Sequence, residues 1–145
     1  MKKYFLVSGI LLIAATGFCQ EKKEKKEKVE VPSAAEAAFK KSYPTATKTK
    51  WGKEGSDFEV NFMDGKKEMS AVYSSSGELK ETEVEIEPNE LPAGIVTYVK
   101  EHYKTEIKEA AKITKANGEI NYEAEVNKKD VIFDKNGKFI KEAKD

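Results

Sequence analysis

The chain has one cysteine, one histidine and one tryptophan in 145 residues, and every basic side chain is a lysine. Each shortage excludes something. Cys19 ends the N-terminal apolar stretch, so the residues after it carry no disulfide and no thiol chemistry. Without arginine there is no guanidinium fork, the group best shaped for bidentate recognition of phosphate or carboxylate. Basic and acidic residues balance at 26 each, whereas nucleic-acid binders concentrate positive charge on one face. There is no glycine-rich phosphate loop, no Gly-x-Ser-x-Gly elbow and no His- or Cys-rich metal spacing. His102 falls beside the apolar stripe of a helix, with no partner in the sequence for general-base work. These shortages argue against an enzyme, a resident cofactor and a nucleic-acid partner.

The one long hydrophobic run is "YFLVSGILLIAATGF" (4–18), preceded by Lys2 and Lys3. It falls short of the ~20 residues that a membrane span needs and has the proportions of a secretory signal peptide. Gly17 and Cys19 supply small side chains at −3 and −1, so residues 1–19 read as a signal cleaved before Gln20. The alternative is a lipoprotein tethered at Cys19, with the bulky Phe18 where a lipobox has a small residue. Only that route involves the membrane; either route exports the protein, to the periplasm or outside the cell. Loss of Lys2 and Lys3 leaves 24 basic against 26 acidic side chains, a net charge of −2. Residues 20–30, "QEKKEKKEKVE", are almost all Lys and Glu and read as a charged disordered spacer.

Beyond residue 30 the chain repeats itself at a spacing of sixty residues. "VPS" (31–33) is echoed by "LPA" (91–93), and "VYSSSGEL" (72–79) by "IFDKNGKF" (132–139). Ala35, Ala38, Phe39 and Tyr43 fall on one helical face, and Ile95, Tyr98, Val99 and Tyr103 are the same positions sixty residues on. Ser33 with Glu36 has the form of a capping box, and Pro44 stops the first helix. The period then drops to two. "TATKTKW" (45–51), "FEVNF" (58–62), "KEMSAVY" (67–73) and "LKETEVEI" (79–86) predict four strands. "TEIKEAAKI" (105–113), "INYEAEV" (120–126), "DVIF" (130–133) and "KFIKEA" (138–143) predict four more. Asp64-Gly65, Ser76-Gly77, Asn117-Gly118 and Asn136-Gly137 supply hairpin turns, their glycines and asparagines meeting the need for positive φ. "NFMDGKKE" is matched by "EVNKKD", which predicts a tighter turn in the second copy. The fold expected is α+β: a tandem repeat (31–86 and 91–145, joined by "EPNELP") of a helix and a four-stranded antiparallel meander. Both helices lie on one face of a shared sheet.

A helix opened by hydrophobic-Pro, then Phe39, Tyr43-Pro44, Trp51, "FEVNF" and "GKKEMSAVYSSSGEL" together resemble the PepSY-like family of β-lactamase-inhibitor-like domains. These are exported proteins of Bacteroidetes-type bacteria. The resemblance covers residues 31–145; the second unit departs from it, with Lys104 in place of the proline and no tryptophan matching Trp51. It implies tandem helix-and-meander units, as in the β-lactamase inhibitor protein, making a curved sheet with helices on one side and an open face on the other. It implies no β-lactamase inhibition, since no motif here maps onto the inhibitor's contacts. Related PepSY domains bind or restrain proteases, which points to an exported or envelope protein as partner.

Alternation places Glu59, Asn61, Glu123 and Glu125 on the face away from the helices, with Glu81, Glu83, Glu85 and Glu87 as candidates to join them. Trp51 and Tyr73 are aromatic anchors if they escape the core. The expected partner contacts are therefore Trp51, Glu59, Asn61, Tyr73, Glu123 and Glu125. Two functions compete: a non-catalytic module that holds or inhibits a protein through the open face, and an envelope protein that binds calcium or a small ligand on the carboxylates. The bland expectation for this face is a solvated surface, with lysines on neighbouring strands pairing the glutamates.

Overall fold

The computed structural model describes residues 29–144. The expected signal peptide (1–19) with Cys19, and most of the expected charged spacer (20–30), lie outside the described residues. Helix α1 (Ser33–Ser42) leads into strands β1 (Thr47–Glu54), β2 (Asp57–Asp64), β3 (Lys67–Tyr73) and β4 (Leu79–Ile86). After a 3-10 turn (Pro88–Glu90), helix α2 (Ala93–Tyr103) leads into β5 (Ala110–Lys115), β6 (Ile120–Glu125), β7 (Lys129–Asp134) and β8 (Phe139–Lys144). All eight strands form one antiparallel sheet in chain order, with β4 paired to β5 across the midpoint.

The helix ends differ from expectation in one respect. Ser33 is already helical, and Pro32 holds the N-cap position without any side-chain cap bond, so Ser33 and Glu36 form no capping box. That motif appears instead at the 3-10 turn, where the Glu87 N–H donates to Glu90 Oε2 at 2.9 Å. At the other end α1 stops before Pro44, whereas α2 stops on Lys104 in the left-handed conformation, φ 53°. Different residues end the two helices, and α2 runs one residue further than α1 in the sixty-residue register.

Each helix is short and owes its stability to what it covers. Ala35 and Phe39 of α1 pack on Val60, Phe62, Ala71 and Tyr73, with Trp51, Met69 and Leu79 at the margin. Ile95 and Val99 of α2 pack on Ala110, Ala124, Val131 and Phe133. Register ties these clusters together: one cross-strand row runs Phe62, Met69, Val84, Lys112, Tyr122, Phe133. Direct cross-strand partners share a face, so the two clusters occupy one side of the sheet.

The strands follow alternation closely, with two corrections. β5 begins at Ala110 rather than Thr105; residues 106–109 run irregularly, although the Lys108 N–H still donates to the Glu125 carbonyl at 3.1 Å. β1 runs on to Glu54 and carries an irregularity between Thr47 and Lys50, where Lys48 has φ 53°. A bulge and lysines on an outer strand hinder edge-to-edge pairing.

The turn chemistry also needs correcting. The predicted glycines have positive φ, but Asn117 and Asn136 do not. Asn117 serves as an acceptor instead, its Oδ1 taking the Glu119 N–H at 2.9 Å. The β6–β7 turn is no tighter than β2–β3, since both span two residues between paired strands. It dispenses with glycine by placing Asn127 (φ 56°) and Lys128 (φ 63°) in the left-handed region.

Candidate functional site

Among the described residues no helix covers the side of the sheet opposite the two clusters, yet its centre is buried. Its middle row runs Lys50, Asn61, Ser70, Glu83, Ile113, Asn121 across six strands. One flank carries Glu59, Val72, Glu81 and Lys115; the other carries Ala111, Glu123, Ile132 and Lys141. Asn121 is 4% exposed, Glu123 5%, Asp130 6% and Ile113 6%. A flat antiparallel sheet would leave such a face in water.

Curling of the sheet explains the burial. Burial and the neighbouring Glu59, Glu81 and Asp57 push the Glu54 carboxyl up, and Lys141 pulls it back. Glu54 is on the first strand and Lys141 on the last, seven inter-strand steps apart, or about 34 Å on a flat sheet. Charges at that distance are screened out, the Debye length being about 8–10 Å. β1 and β8 therefore bend toward each other over a concave face, and the residues on it cover one another.

The electrostatics follow from that shape. Burial, then Glu59, Glu81, Asp130 and Glu54, raise the half-buried Glu83 carboxyl to about 8. Burial also raises Glu59, against hydrogen bonds from Asn61 and Ser70 and the charge of Lys50 that lower it. Burial raises Glu81 too, while Lys115 and Lys141 lower it. The lysines act from the sides and Glu83 sits at the centre. The centre thus departs from the expected solvated surface, whereas the expected lysine partners do act on Glu59 and Glu81 at its sides. The reason is curvature, which alternation along single strands does not encode.

Of the residues singled out from the sequence, Glu59, Asn61, Glu123 and Glu125 come to this face. Glu123 forms part of its floor, and Glu125 is half-buried opposite Asp130. The structure does not bring Trp51 and Tyr73 to them. Both lie on the helix side, where Tyr73 is fully buried and Trp51 is half-buried with its ring 5.6 Å from Phe39 and 6.2 Å from Tyr73. Trp51 borders instead a groove of about 370 Å³ with Phe39, Tyr43, Pro44 and Ala46. Glu83 and Glu81 belong to the concave face, Glu85 is exposed at its edge beside Glu68, and Glu87 leaves it for the 3-10 turn. Sequence reasoning missed Glu54, Asp130 and Asn121. Asp130 and Asn121 had a signal, since each has the opposite parity to the core residues of its own strand.

Among the described residues no group of three or more His, Cys, Asp or Glu is placed to hold a metal ion. His102 is exposed and stacks on Tyr98 at 4.1 Å.

The fold is therefore of the α+β class, two helices and a single eight-stranded antiparallel sheet with one polar, part-buried face. The family profile described as beta-lactamase-inhibitor-like, PepSY-like matches residues 19–79 and again 56–141, and the chain belongs to this family. Solved structures share the fold. A BLIP-like protein of Bacteroides fragilis has a TM-score of 0.58 at 24% identity, over 80% of this chain and 87% of its own. A protein of Bacteroides eggerthii described as periplasmic gives 0.69 at 15% identity, over 79% and 88%. A DUF2874 family protein of Bacteroides uniformis gives 0.62 at 16%, over 77% and 87%. No curated protein matches the chain.

Proposed function

We propose that the protein is an exported, non-catalytic binding module that holds or inhibits a protein of the cell envelope, such as a protease, on its concave carboxylate face. The observation that carries this reading is a polar sheet face whose Asn121, Glu123 and Asp130 are buried while Glu54, Glu59 and Glu81 stay half-exposed. A solvated surface has no use for buried carboxylates, which cost stability unless something compensates them. In this reading residues 31–86 and 91–145 are two copies of one unit within one domain, both helices backing the same side of the sheet. The shared row from Phe62 to Phe133 supports that arrangement. Export through residues 1–19, to the periplasm, agrees with the periplasmic description of the Bacteroides eggerthii relative; tethering at Cys19 is the variant of that route.

The test is capture of a partner from envelope extract by residues 20–145, with and without calcium, read by mass spectrometry. The expected result is a stoichiometric partner lost on Glu59→Lys or Glu81→Lys and retained on Trp51→Ala. Loss on Trp51→Ala alone would move the interface to the groove beside α1. A calcium-dependent rise in melting temperature without any partner would favour the cation-binding alternative.

A further inference from the structure

Taking the concave face as the binding surface, we propose that its occupant presents a basic side chain, arginine or lysine on an extended peptide segment, which seats against Glu83. That face is rich in acceptors. Glu54, Glu59, Glu81 and Glu83 contribute carboxylates from three strands. Asn121 supplies an independent sign. It is 4% exposed and shares a cross-strand row with Glu83; its Nδ2 donates to Glu119 Oε1 at 3.1 Å, and its Oδ1 has no hydrogen-bond partner. A buried amide oxygen without a donor is rare in folded proteins and calls for one from outside the chain.

The geometry favours an organic cation over a metal ion. A calcium ion draws six to eight oxygens to one point, whereas these acceptors come from three strands and no three described acidic groups are placed to hold a metal. A guanidinium has five N–H donors in a planar fork and reaches several separated carboxylates at once. The groups that act on Glu83 itself are acidic, and the chain's own cations act on its neighbours. Lys115 is engaged with Glu119 at 2.6 Å, Lys50 acts on Glu59 from the outer strand, and Lys141 acts from β8 on Glu54 and Glu81.

Seating a cation has a protonic signature. Glu83 faces Glu54 from β1, Glu59 from β2, Glu81 on its own strand and Asp130 from β7, and with burial these hold its proton near neutral pH. Glu123 lies on the same face from β6, and Lys50, Lys115 and Lys141 stand to the sides. A bound guanidinium favours the ionised carboxylate, so binding releases a proton and tightens as pH rises from 6 toward 8.

The experiment is calorimetric titration of residues 20–145 with blocked triarginine, trilysine, trialanine, spermidine and CaCl2, at matched ionic strength, in two pH 7 buffers of different ionisation enthalpy. The expected result is binding of triarginine with net proton release, weakened roughly tenfold by Glu83→Gln and by Asn121→Leu, and unchanged by the remote Glu78→Gln. Glu83→Gln removes a burdened charge, so it keeps the test open if Asn121→Leu fails to fold. Equal affinity in Glu83→Gln and wild type, binding without proton release, or spermidine or calcium binding more tightly than triarginine would each overturn the proposal. If no basic peptide binds while an envelope protein is still captured and is lost on Glu59→Lys, the binding face stands and this inference alone fails. If neither occurs, both fail.

Discussion

A Cβ on Gly77 would stand 2.6 Å from the carbonyl oxygen of Ala34, so the β3–β4 turn presses directly on the first turn of α1. The second half repeats the contact: a Cβ on Gly137 would meet the Ile95 backbone nitrogen at 3.3 Å, next to Gly94. The sixty-residue echo of Gly77 in Gly137 thus marks a joint between turn and helix as well as a turn.

Three alanine substitutions separate conformation from contact. Gly77, Gly118 and Gly137 share φ near 83°, but only Gly118 has open space around it. Gly118→Ala carries the left-handed penalty alone, about 1–2 kcal/mol. Gly77→Ala adds a clash with backbone that cannot yield, and is expected to cost more than twice as much as Gly118→Ala, with Gly137→Ala between them. Urea unfolding measures all three; equal losses would show that the helix joint contributes nothing.

Stability is expected to fall as pH rises. A carboxyl whose folded pKa is raised binds its proton more tightly in the folded state, so its contribution is fully present below the unfolded value near 4.5 and is lost on the way to about 8. Glu54, Glu59 and Glu81 shift in the same direction. The melting temperature should therefore decline between pH 5 and pH 8. Glu83→Gln should flatten that decline and stabilise the protein at pH 8 by on the order of 2 kcal/mol, allowing for solvent screening. A melting temperature that rises across this range would contradict the buried carboxyl cluster.

The curl has its own reporter. Lys141 lowers both Glu54 and Glu81, so Lys141→Met should move the titration of both carboxyls upward. Carbon-detected NMR titration of the side-chain carboxyls reads each one separately. A Glu54 curve that does not move would mean that β8 does not reach over to β1.

Core and surface aromatics should part company. Phe39 is 4% exposed and its ring lies 5.0 Å from Phe62, so Phe39→Ala is expected to cost about 3–5 kcal/mol. Trp51→Ala, at the margin of the same cluster, should cost less and leave binding on the concave face intact. Denaturant melts together with the peptide titration decide both points.

By itself the sequence determined the order of elements, the period of every strand, the helical stripes and the parity that sets Glu59, Asn61, Glu123 and Glu125 opposite the core. These are local properties, carried by spacings of two and 3.6 residues and by the turn glycines. Tertiary structure alone decided that β1 and β8 bend toward each other and that the face between them is part-buried rather than a solvated plane. It also turned Tyr73 into the core and gave Glu83, Asp130 and Asn121 a common environment. The reason is that curvature accumulates over eight strands. No short stretch of chain records how far its strand lies from one paired several steps away.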